Sequence, residues 1–350
     1  YNFKLKKCLF EHKAVINQKN KSLKSNKGTY YTSKEKFDFY NEVVIETEKE
    51  TLSADTLYYW LENEYALFKS NASIENNKIN IKAQSGWINQ KKEKAFINNN
   101  VQITNLQNNS ILRADTCYLF NEMNHSISYG NTLLSIPLNE DTLYITADTL
   151  LQKKRAEGNL LEAYPRANFK SINMIGFCDS LSYSTNEENL FLNKEPVIWL
   201  DQFQFTSDSI RIVLNKKLIK MAFLNKNAFT ASEVGSNLFN QISGENMKAY
   251  FHENKLSNIE VIGNGESIYY VQDEKKIEAI GVNKIICSDM NIKIKRRQID
   301  NINFYKKPDA ILYPISKTNL NELFLRGFIW KDKSNIDNII QGEMDKYHKL

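Results

Sequence analysis

The sequence predicts an all-β protein, a repetitive β-jellyroll in which two sheets are stacked and a unit of about thirty residues recurs. Three observations predict this fold class. A short motif returns at nearly constant spacing, short runs of β-branched residues alternate with polar residues, and polar clusters rich in asparagine separate these runs. A period of two residues is typical of strands with one buried face.

The recurring motif is centred on one polar residue, which we call the slot. Its clearest copies cover residues 52–59, 112–119, 145–150, 178–183 and 205–212. With weaker copies included, the slots fall at residues 26, 55, 84, 115, 148, 179, 208, 245 and 289. The first two slots lie 29 residues apart and the last two lie 44 apart, so one structural unit is repeated and loosens toward the C-terminus.

The runs between slots predict strands, and the polar clusters predict turns. Residues 43–47, 79–81 and 101–104 alternate at period two, which favours strands. Residues 62–64 and 98–100 are clusters of asparagine and glutamate, which favour turns because asparagine tolerates left-handed backbone. No segment of ten or more residues before about residue 315 shows a convincing helical stripe.

The slot also changes the parity of the apolar residues around it. Leu52 and Ala54 lie three and one residues before Asp55, whereas Leu57 and Tyr59 lie two and four residues after it. Side chains alternate strictly along a regular strand, so this slip of one residue indicates a bulge or a corner. We expect each repeat to bend at its slot and to face an apolar interior from both sheets.

The slot aspartates have two interpretations. A calcium site needs six to eight oxygen ligands, and each repeat offers one carboxylate with a neighbouring hydroxyl group, as at Asp55 and Thr56. An aspartate that bonds to the backbone of a corner is the interpretation we favour.

Composition excludes several classes of protein. The chain has 350 residues, of which 42% are hydrophobic and 25% charged, so it can build a core and is not a disordered protein. The net charge of +5 is spread along the chain, which argues against a nucleic-acid partner. No run approaches the roughly 18 apolar residues that a membrane-spanning helix needs.

Cysteine and histidine spacing predicts neither a metal site nor a cofactor. The four cysteines include no C-x-x-C pair, and the four histidines are far apart in the sequence. Cys117 and Cys178 occupy apolar positions of the repeat, which predicts buried thiols that act as small hydrophobic side chains. A disulfide remains the alternative in an oxidising compartment.

The repeats predict three regions. Residues 1–150 carry β-jellyroll repeats, residues 151–330 carry more divergent repeats, and residues 331–350 form a charged tail or a short terminal helix. The chain starts at Tyr1 rather than methionine, and its first slot is Asn26. We therefore expect that earlier repeats or a signal peptide precede it.

The Leu-x-Ala-Asp-x-Leu-x-Tyr repeat resembles the OstA/LptA family of lipopolysaccharide-transport proteins, and residues 240–244, 263–270, 307–309 and 325–330 resemble the long OstA-like proteins of Bacteroidota. The resemblance covers about residues 20–330. It implies a periplasmic β-jellyroll whose two sheets enclose a groove for acyl chains, with no catalytic residues and no cofactor. The groove-lining positions that it implies are Ile45, Leu52, Leu57, Ile81, Ile103 and Leu112.

The resemblance also implies partners and a location. The partners are lipopolysaccharide and other lipopolysaccharide-transport components, which would join through pairing of exposed sheet edges. The same edges leave self-association open. The expected location is the periplasm, with an association with the outer membrane.

Three function classes compete for this sequence. The leading hypothesis is a non-enzymatic lipid-transport protein of outer-membrane assembly. The alternative is a structural or adhesive surface protein built as a β-solenoid, which would keep one parity and one coil length throughout. An enzyme, such as a β-helical polysaccharide lyase, has least support because the sequence offers no convergent cluster of acids and bases.

Overall fold

A computed structural model describes residues 6–18, 20–120, 124–138, 141–156, 158–235, 237–272, 279–296, 298–315 and 323–348. The chain divides into two compact units, residues 1–161 (unit 1) and residues 162–350 (unit 2). The domain boundaries expected at 150/151 and 330/331 stay predictions, because a compact unit is not by itself a folding domain.

Unit 1 is built from short and long strands. They are β1 Lys7–Phe10, β2 Ala14–Gln18, β3 Lys21–Ser25, β4 Lys27–Tyr31, β5 Lys36–Thr47, β6 Thr51–Trp60, β7 Tyr65–Glu75, β8 Ile79–Asn89, β9 Lys94–Asn105, β10 Ile111–Phe120, β11 His125–Tyr129, β12 Leu133–Pro137, β13 Thr142–Thr146 and β14 Thr149–Arg155.

Strand β15, Gly158–Tyr164, crosses into unit 2, which contains the remaining elements. They are β16 Ala167–Lys170, β17 Met174–Cys178, β18 Ser180–Ser184, β19 Asn189–Asn193, β20 Val197–Leu200, β21 Phe203–Thr206, β22 Ser209–Asn215, β23 Leu218–Gly235, β24 Leu238–His252, β25 Lys255–Gln272, β26 Ala279–Lys295, β27 Gln298–Tyr305, β28 Asp309–Pro314 and the helix α1 Ser334–His348.

The predicted all-β class is confirmed, and the strands pair antiparallel. From β5 to β10 each strand pairs with the next, so that Leu52 lies between Ile45 on one side and Ile74 on the other. The strands described in each unit pair antiparallel, whereas stacked coils of a β-solenoid pair in parallel. The solenoid architecture of the alternative hypothesis is therefore wrong for the described residues.

Each long strand bends where a slot faces two residues of the neighbouring strand. Between β6 and β7 the register shifts so that Ser70 and Asn71 oppose Asp55. Ser70 and Asn71 have φ angles of 62° and 49°, in the left-handed region. Two residues opposite one define a β-bulge, which bends the strand and increases its twist.

The same corner recurs along the chain, and slots alternate with left-handed pairs except between the slots at residues 148 and 179, where no two adjacent described residues have positive φ. The left-handed pairs are residues 41–42, 70–71, 99–100, 130–131, 194–195, 226–227, 263–264 and 306–307. Many of these pairs contain asparagine or glycine, which adopt positive φ at least cost. The repeat of about thirty residues is thus two strands, one bent at a slot and the next at a left-handed pair.

Side-chain hydrogen bonds join the slot to the left-handed pair. In three repeats, the amide of an asparagine in the pair donates to the slot carboxylate. The pairs and their N···O distances are Asp55–Asn71 at 2.7 Å, Asp115–Asn131 at 2.8 Å and Asp208–Asn227 at 2.9 Å. These bonds support the corner-forming role of the aspartates.

Two details of the sequence prediction are wrong. Residues 98–100 do not form a turn between strands but lie inside β9, where Asn99 and Asn100 make a corner. The last slot is Ser288 rather than Asp289, because the register places Ser288 opposite the pair 263–264. Asp289 instead accepts a hydrogen bond from the Gly263 backbone at 3.0 Å. The turn predicted at residues 62–64 is confirmed.

The predicted change of parity at the slot is confirmed. Leu52, Ala54, Leu57 and Tyr59 are all buried, while Asp55 between them is exposed. In each unit, layer A consists of the strand halves that precede a slot together with the half-strands that pair with them. Layer B consists of the halves that follow a slot together with their pairing partners. Inward residues of both layers pack into one hydrophobic core in unit 1.

In unit 2, the segment Leu323–Lys331 (the strap) covers the outer face of layer A. Leu323 and Leu325 are buried against Phe229, Ile268 and other outward residues of this layer. The strap therefore covers an apolar sheet face that would otherwise meet water.

Two buried glutamines hold the strap in place. The Gln241 amide donates to the Leu323 carbonyl oxygen at 3.1 Å and accepts from the Leu325 backbone N–H at 2.9 Å. Gln204 makes the same pair of bonds with the Ile329 carbonyl oxygen and the Lys331 N–H. Each side-chain amide thus bonds the strap as a neighbouring strand would.

The C-terminal helix packs on the same unit. Ile336 and Ile340 are one turn apart on α1 and both are buried, and the helix contacts β16 and β17. Lys170 and Asp337 form an ion pair at 2.6 Å. Most of the charged tail is therefore a short docked helix.

The corner geometry predicts a specific effect of Asn100. Replacing Asn100 with valine should lower the free energy of unfolding by about 1–2 kcal/mol, because a β-branched residue is strained at positive φ. Asn100→Gly should leave it nearly unchanged. Chemical denaturation measures both, and Lys82→Val, at an exposed strand position, is the matched control. Equal stability of the valine and glycine variants would contradict the corner.

The strap bonds predict a second effect. Gln241→Met should destabilise unit 2 by about 1–3 kcal/mol, because two buried backbone groups of the strap lose their partners. Urea unfolding followed by tryptophan fluorescence reports this change, since Trp330 lies in the strap. Gln298→Met, at an exposed position of β27, should be neutral, and an equally neutral Gln241→Met would show that the strap does not depend on this amide.

Candidate functional site

The six predicted groove positions all point between the layers of unit 1. Leu57 is fully buried, Ile45, Leu52, Ile81 and Leu112 are buried, and Ile103 is half-buried against the same core. Their inward orientation follows from the parity around each slot. That they contact an acyl chain stays a prediction.

The interior beside two of these residues is filled by protein. Ile45 and Leu52 line a cavity of about 20 Å³ together with Ala66 and Ile88. A cavity of that size has room for about one water molecule. A hydrocarbon chain can therefore enter here only if the two layers move apart.

A polar cluster closes the space between the layers at the side opposite the corners, which we call the seam. The Lys21 ammonium donates to the Tyr59 hydroxyl at 3.0 Å and to Gln90 Oε1 at 2.8 Å. It lies 3.4 Å from the Glu64 carboxylate. Gln90 Nε2 in turn donates to Glu50 Oε1 at 3.1 Å. We call these five residues the Lys21 cluster.

The Lys21 cluster joins layer A to layer B. Lys21 and Glu50 belong to layer A, and Tyr59, Glu64 and Gln90 belong to layer B or its turns. This cluster was not predicted from the sequence. The sequence does contain one indication of it. Lys21 and Glu50 each lie five residues before a slot, where the alternation of side chains places a residue on the inner face, and both are charged.

Lys21 keeps its charge although it is partly buried. Its side chain is only 16% exposed. Burial alone disfavours the ammonium, but the hydrogen bond to Tyr59 and the charge of Glu64 outweigh it and raise the Lys21 pKa above its usual value. Because the pKa is raised in the folded state, this stabilisation is complete below the ordinary lysine pKa and is lost only as pH rises through the raised value.

Unit 2 contains a larger space between its layers. A cavity of about 190 Å³ lies between layer A and the last strands of layer B. Its lining residues are Tyr269, Asn283, Ile285, Ile299, Asp300, Asn301, Ile302 and Phe304. The cavity is open to solvent, with exposed Asp300 and Asn301 in its lining, and the apolar part of its wall can contact a short apolar group.

Two buried hydroxyl groups lie on the inner face of layer A, and one of them, Ser267, is on a strand next to this cavity. Thr230 and Ser267 are each 1% exposed, and their Oγ atoms have no hydrogen-bond partner among the described residues. Ser267 pairs across the strands with Ile285, which lines the cavity. A buried hydroxyl without a partner is costly, so these groups favour a ligand or water that can bond to them.

The predicted buried thiols are confirmed. Cys117 is fully buried and Cys178 nearly so, and both cysteines are free. Burial raises the pKa of each thiol to about 12. Neither sulfur is therefore available as a thiolate for catalysis near neutral pH.

The described part of the chain contains no cluster of side chains that could bind a metal ion. Within it, no three or more histidine, cysteine, aspartate or glutamate residues come close enough to hold a metal ion. No helix among the described residues has the length and apolar character needed to cross a membrane.

The thiol pKa values predict how the cysteines react. In the folded protein near neutral pH, Cys117 and Cys178 should resist alkylation by iodoacetamide, because almost no thiolate is present. Mass spectrometry after a timed exposure gives the labelling of each site, and half-buried Cys8 serves as the internal comparison. In denaturant all four should react alike, and rapid labelling of Cys117 without denaturant would contradict the buried position.

Comparison with known proteins identifies solved structures that resemble the chain. No family model matches it, and no curated protein matches it. A solved structure that it resembles is LptH from Pseudomonas aeruginosa, described as the LptA-homologous periplasmic component of the conserved lipopolysaccharide transport device. The two are 14% identical, the match covers 46% of this chain and 86% of that chain, and the TM-score is 0.20.

Proposed function

We propose that this protein is a non-enzymatic lipid carrier that binds acyl chains between its two layers. The observation that supports the proposal most directly is the cavity of about 190 Å³ at the last strands of unit 2, which opens on the inner face of both layers. Ile285, Ile302 and Phe304 give it apolar walls, and the unpaired hydroxyl group of Ser267 lies at the strand position that pairs with Ile285.

The hydrophobic effect is sufficient for this kind of binding. Each methylene group that leaves water contributes about 0.8 kcal/mol, so an acyl chain needs no covalent chemistry to bind. The inner positions continue through the repeats at the same offsets from each slot. An apolar chain could therefore follow the interior from strand to strand, wherever the layers part.

The finer proposal is that the lipid is lipopolysaccharide, carried in the periplasm during assembly of the outer membrane. It rests on the Leu-x-Ala-Asp-x-Leu-x-Tyr repeat and on the resemblance stated for it. The groove positions Ile45, Leu52, Leu57, Ile81, Ile103 and Leu112 would then be the lining in unit 1.

Partner proteins would join through the exposed edge of the sheet. Strand β28 pairs with β26 along one side. Its residues Ile311 and Leu312 are 50% and 65% exposed. An edge strand with exposed apolar side chains is suited to pair with a strand of another transport component or of a second copy.

Site-specific crosslinking tests the proposed function. A photoreactive amino acid at Ile302 should form adducts with lipopolysaccharide in a cell that produces it, because this side chain lines the cavity. The same amino acid at Asn303, the next residue and exposed on the outer face, is the matched control. Adducts are detected by a shift in gel mobility and by an antibody to the lipid.

Either of two results would contradict the carrier proposal. The first is no lipid adduct at Ile302 in a folded protein that has been exported to the periplasm. The second is equal labelling at Ile302 and Asn303, which would indicate contact with a membrane surface rather than with an interior site.

A further inference from the structure

We propose that the seam of unit 1 is a port for acyl chains and that the Lys21 cluster holds it shut. This inference rests on the proposed function and concerns the regulation of the same interior. In the closed state the cavity below the cluster holds only about 20 Å³. The port must therefore open before a chain can reach Ile45 and Leu52.

The position of the cluster supports a closing role. The corners join the layers covalently along one side, because every long strand passes through them. On the opposite side the layers end in turns, and the Lys21 cluster bonds one layer to the other across them. The bonded residues are 38, 69 and 40 positions apart in the sequence for Lys21–Tyr59, Lys21–Gln90 and Gln90–Glu50. The cluster is thus a tertiary contact that can break without unfolding either layer.

The chemistry of the cluster suits reversible opening. The ammonium of Lys21 has three N–H donors, and Tyr59, Gln90 and Glu64 provide three partners. When the layers part, all of these polar groups can exchange their partners for water. Glu64 is already 39% exposed, so water reaches the cluster from one side. If the seam were lined by apolar side chains, opening it would expose them to water with no new hydrogen bonds in compensation.

The apolar walls below the cluster suit the tail of an amphiphile. Ile45, Leu52, Ala66 and Ile88 line the cavity beneath the polar groups. A single-chain amphiphile that enters here would place its tail on these residues and its head among the polar side chains at the surface. The cluster thus separates water from the apolar interior in the closed state.

The first experiment joins the seam covalently. Glu50 and Gln90 are replaced by cysteines in a Cys8→Ser background, in which the three remaining native thiols are buried. The new pair is linked by oxidation or by a short bifunctional maleimide. A photoreactive palmitic acid analogue then labels the protein, and labelled peptides of unit 1 are measured by mass spectrometry. Linking should abolish labelling at Ile45 and Leu52, and reduction of the disulfide should restore it.

The second experiment weakens the seam. Lys21→Met keeps the length of the side chain and removes the ammonium. The open population, and with it the labelling rate of unit 1, should rise at least about tenfold, because two hydrogen bonds and an ion pair are lost and the loss of one hydrogen bond to a charged group already corresponds to about that factor. Lys24→Met is the matched control, since Lys24 pairs with Glu46 at 2.6 Å inside layer A. A thermal melt of each variant checks that it is folded.

The outcomes separate the port from the carrier function. If the linked and reduced proteins are labelled equally in unit 1, and Lys21→Met matches wild type, the port proposal is overturned while the carrier function stands. If labelling occurs in unit 2 alone, even in Lys21→Met, the port is again overturned. If no part of any variant is labelled, both proposals are overturned.

Discussion

The architecture depends on one local constraint, the corner in which two left-handed residues face a single polar residue. Ser70 and Asn71, opposite Asp55, illustrate this corner. The left-handed backbone of the pair accommodates the one extra residue of its strand, and the Asn71 amide donates a hydrogen bond of 2.7 Å to the Asp55 carboxylate. Within each unit, neighbouring long strands meet this corner at positions that face each other, so the sheet of that unit bends there. The bend brings two halves of each strand face to face and creates an interior without a second, separate sheet.

The fold class and the buried positions could be predicted from the sequence because they follow from parity. Once a slot such as Asp55 is located, the offsets alone place Leu52 and Leu57 inward. The positions of the left-handed pairs could not be predicted in this way, because the polarity of a residue does not determine its backbone φ angle. Residues 98–100 show the consequence, because an asparagine cluster suits both a turn and a corner within a strand. Ser288 was missed because Asp289 has the more typical side chain.

The candidate site was predictable only in part, for a related reason. The parity around each slot correctly predicted that the six groove positions point inward, but it contains no information about the distance between the two layers. The Lys21 cluster depends on that approach, which brings Lys21 to residues 38 and 69 positions away. The burial of Gln204 and Gln241 could not be predicted either, because both side chains face outward, where polar residues are expected. Only the strap makes them buried hydrogen-bonding groups.

The alternation of slots and left-handed pairs also restricts how such a chain can change its length during evolution. A single inserted residue between a corner and the next turn would exchange the inner and outer faces of that half-strand. Insertions of two residues, or duplications of a whole strand pair, keep the faces in phase. The long strands of unit 2 keep the corner: β23 and β25 have 18 residues each, against 10 to 12 in β5 to β10, and both still turn at a left-handed pair. Duplication of a whole strand pair therefore lengthens such a chain without disturbing which side chains face the interior.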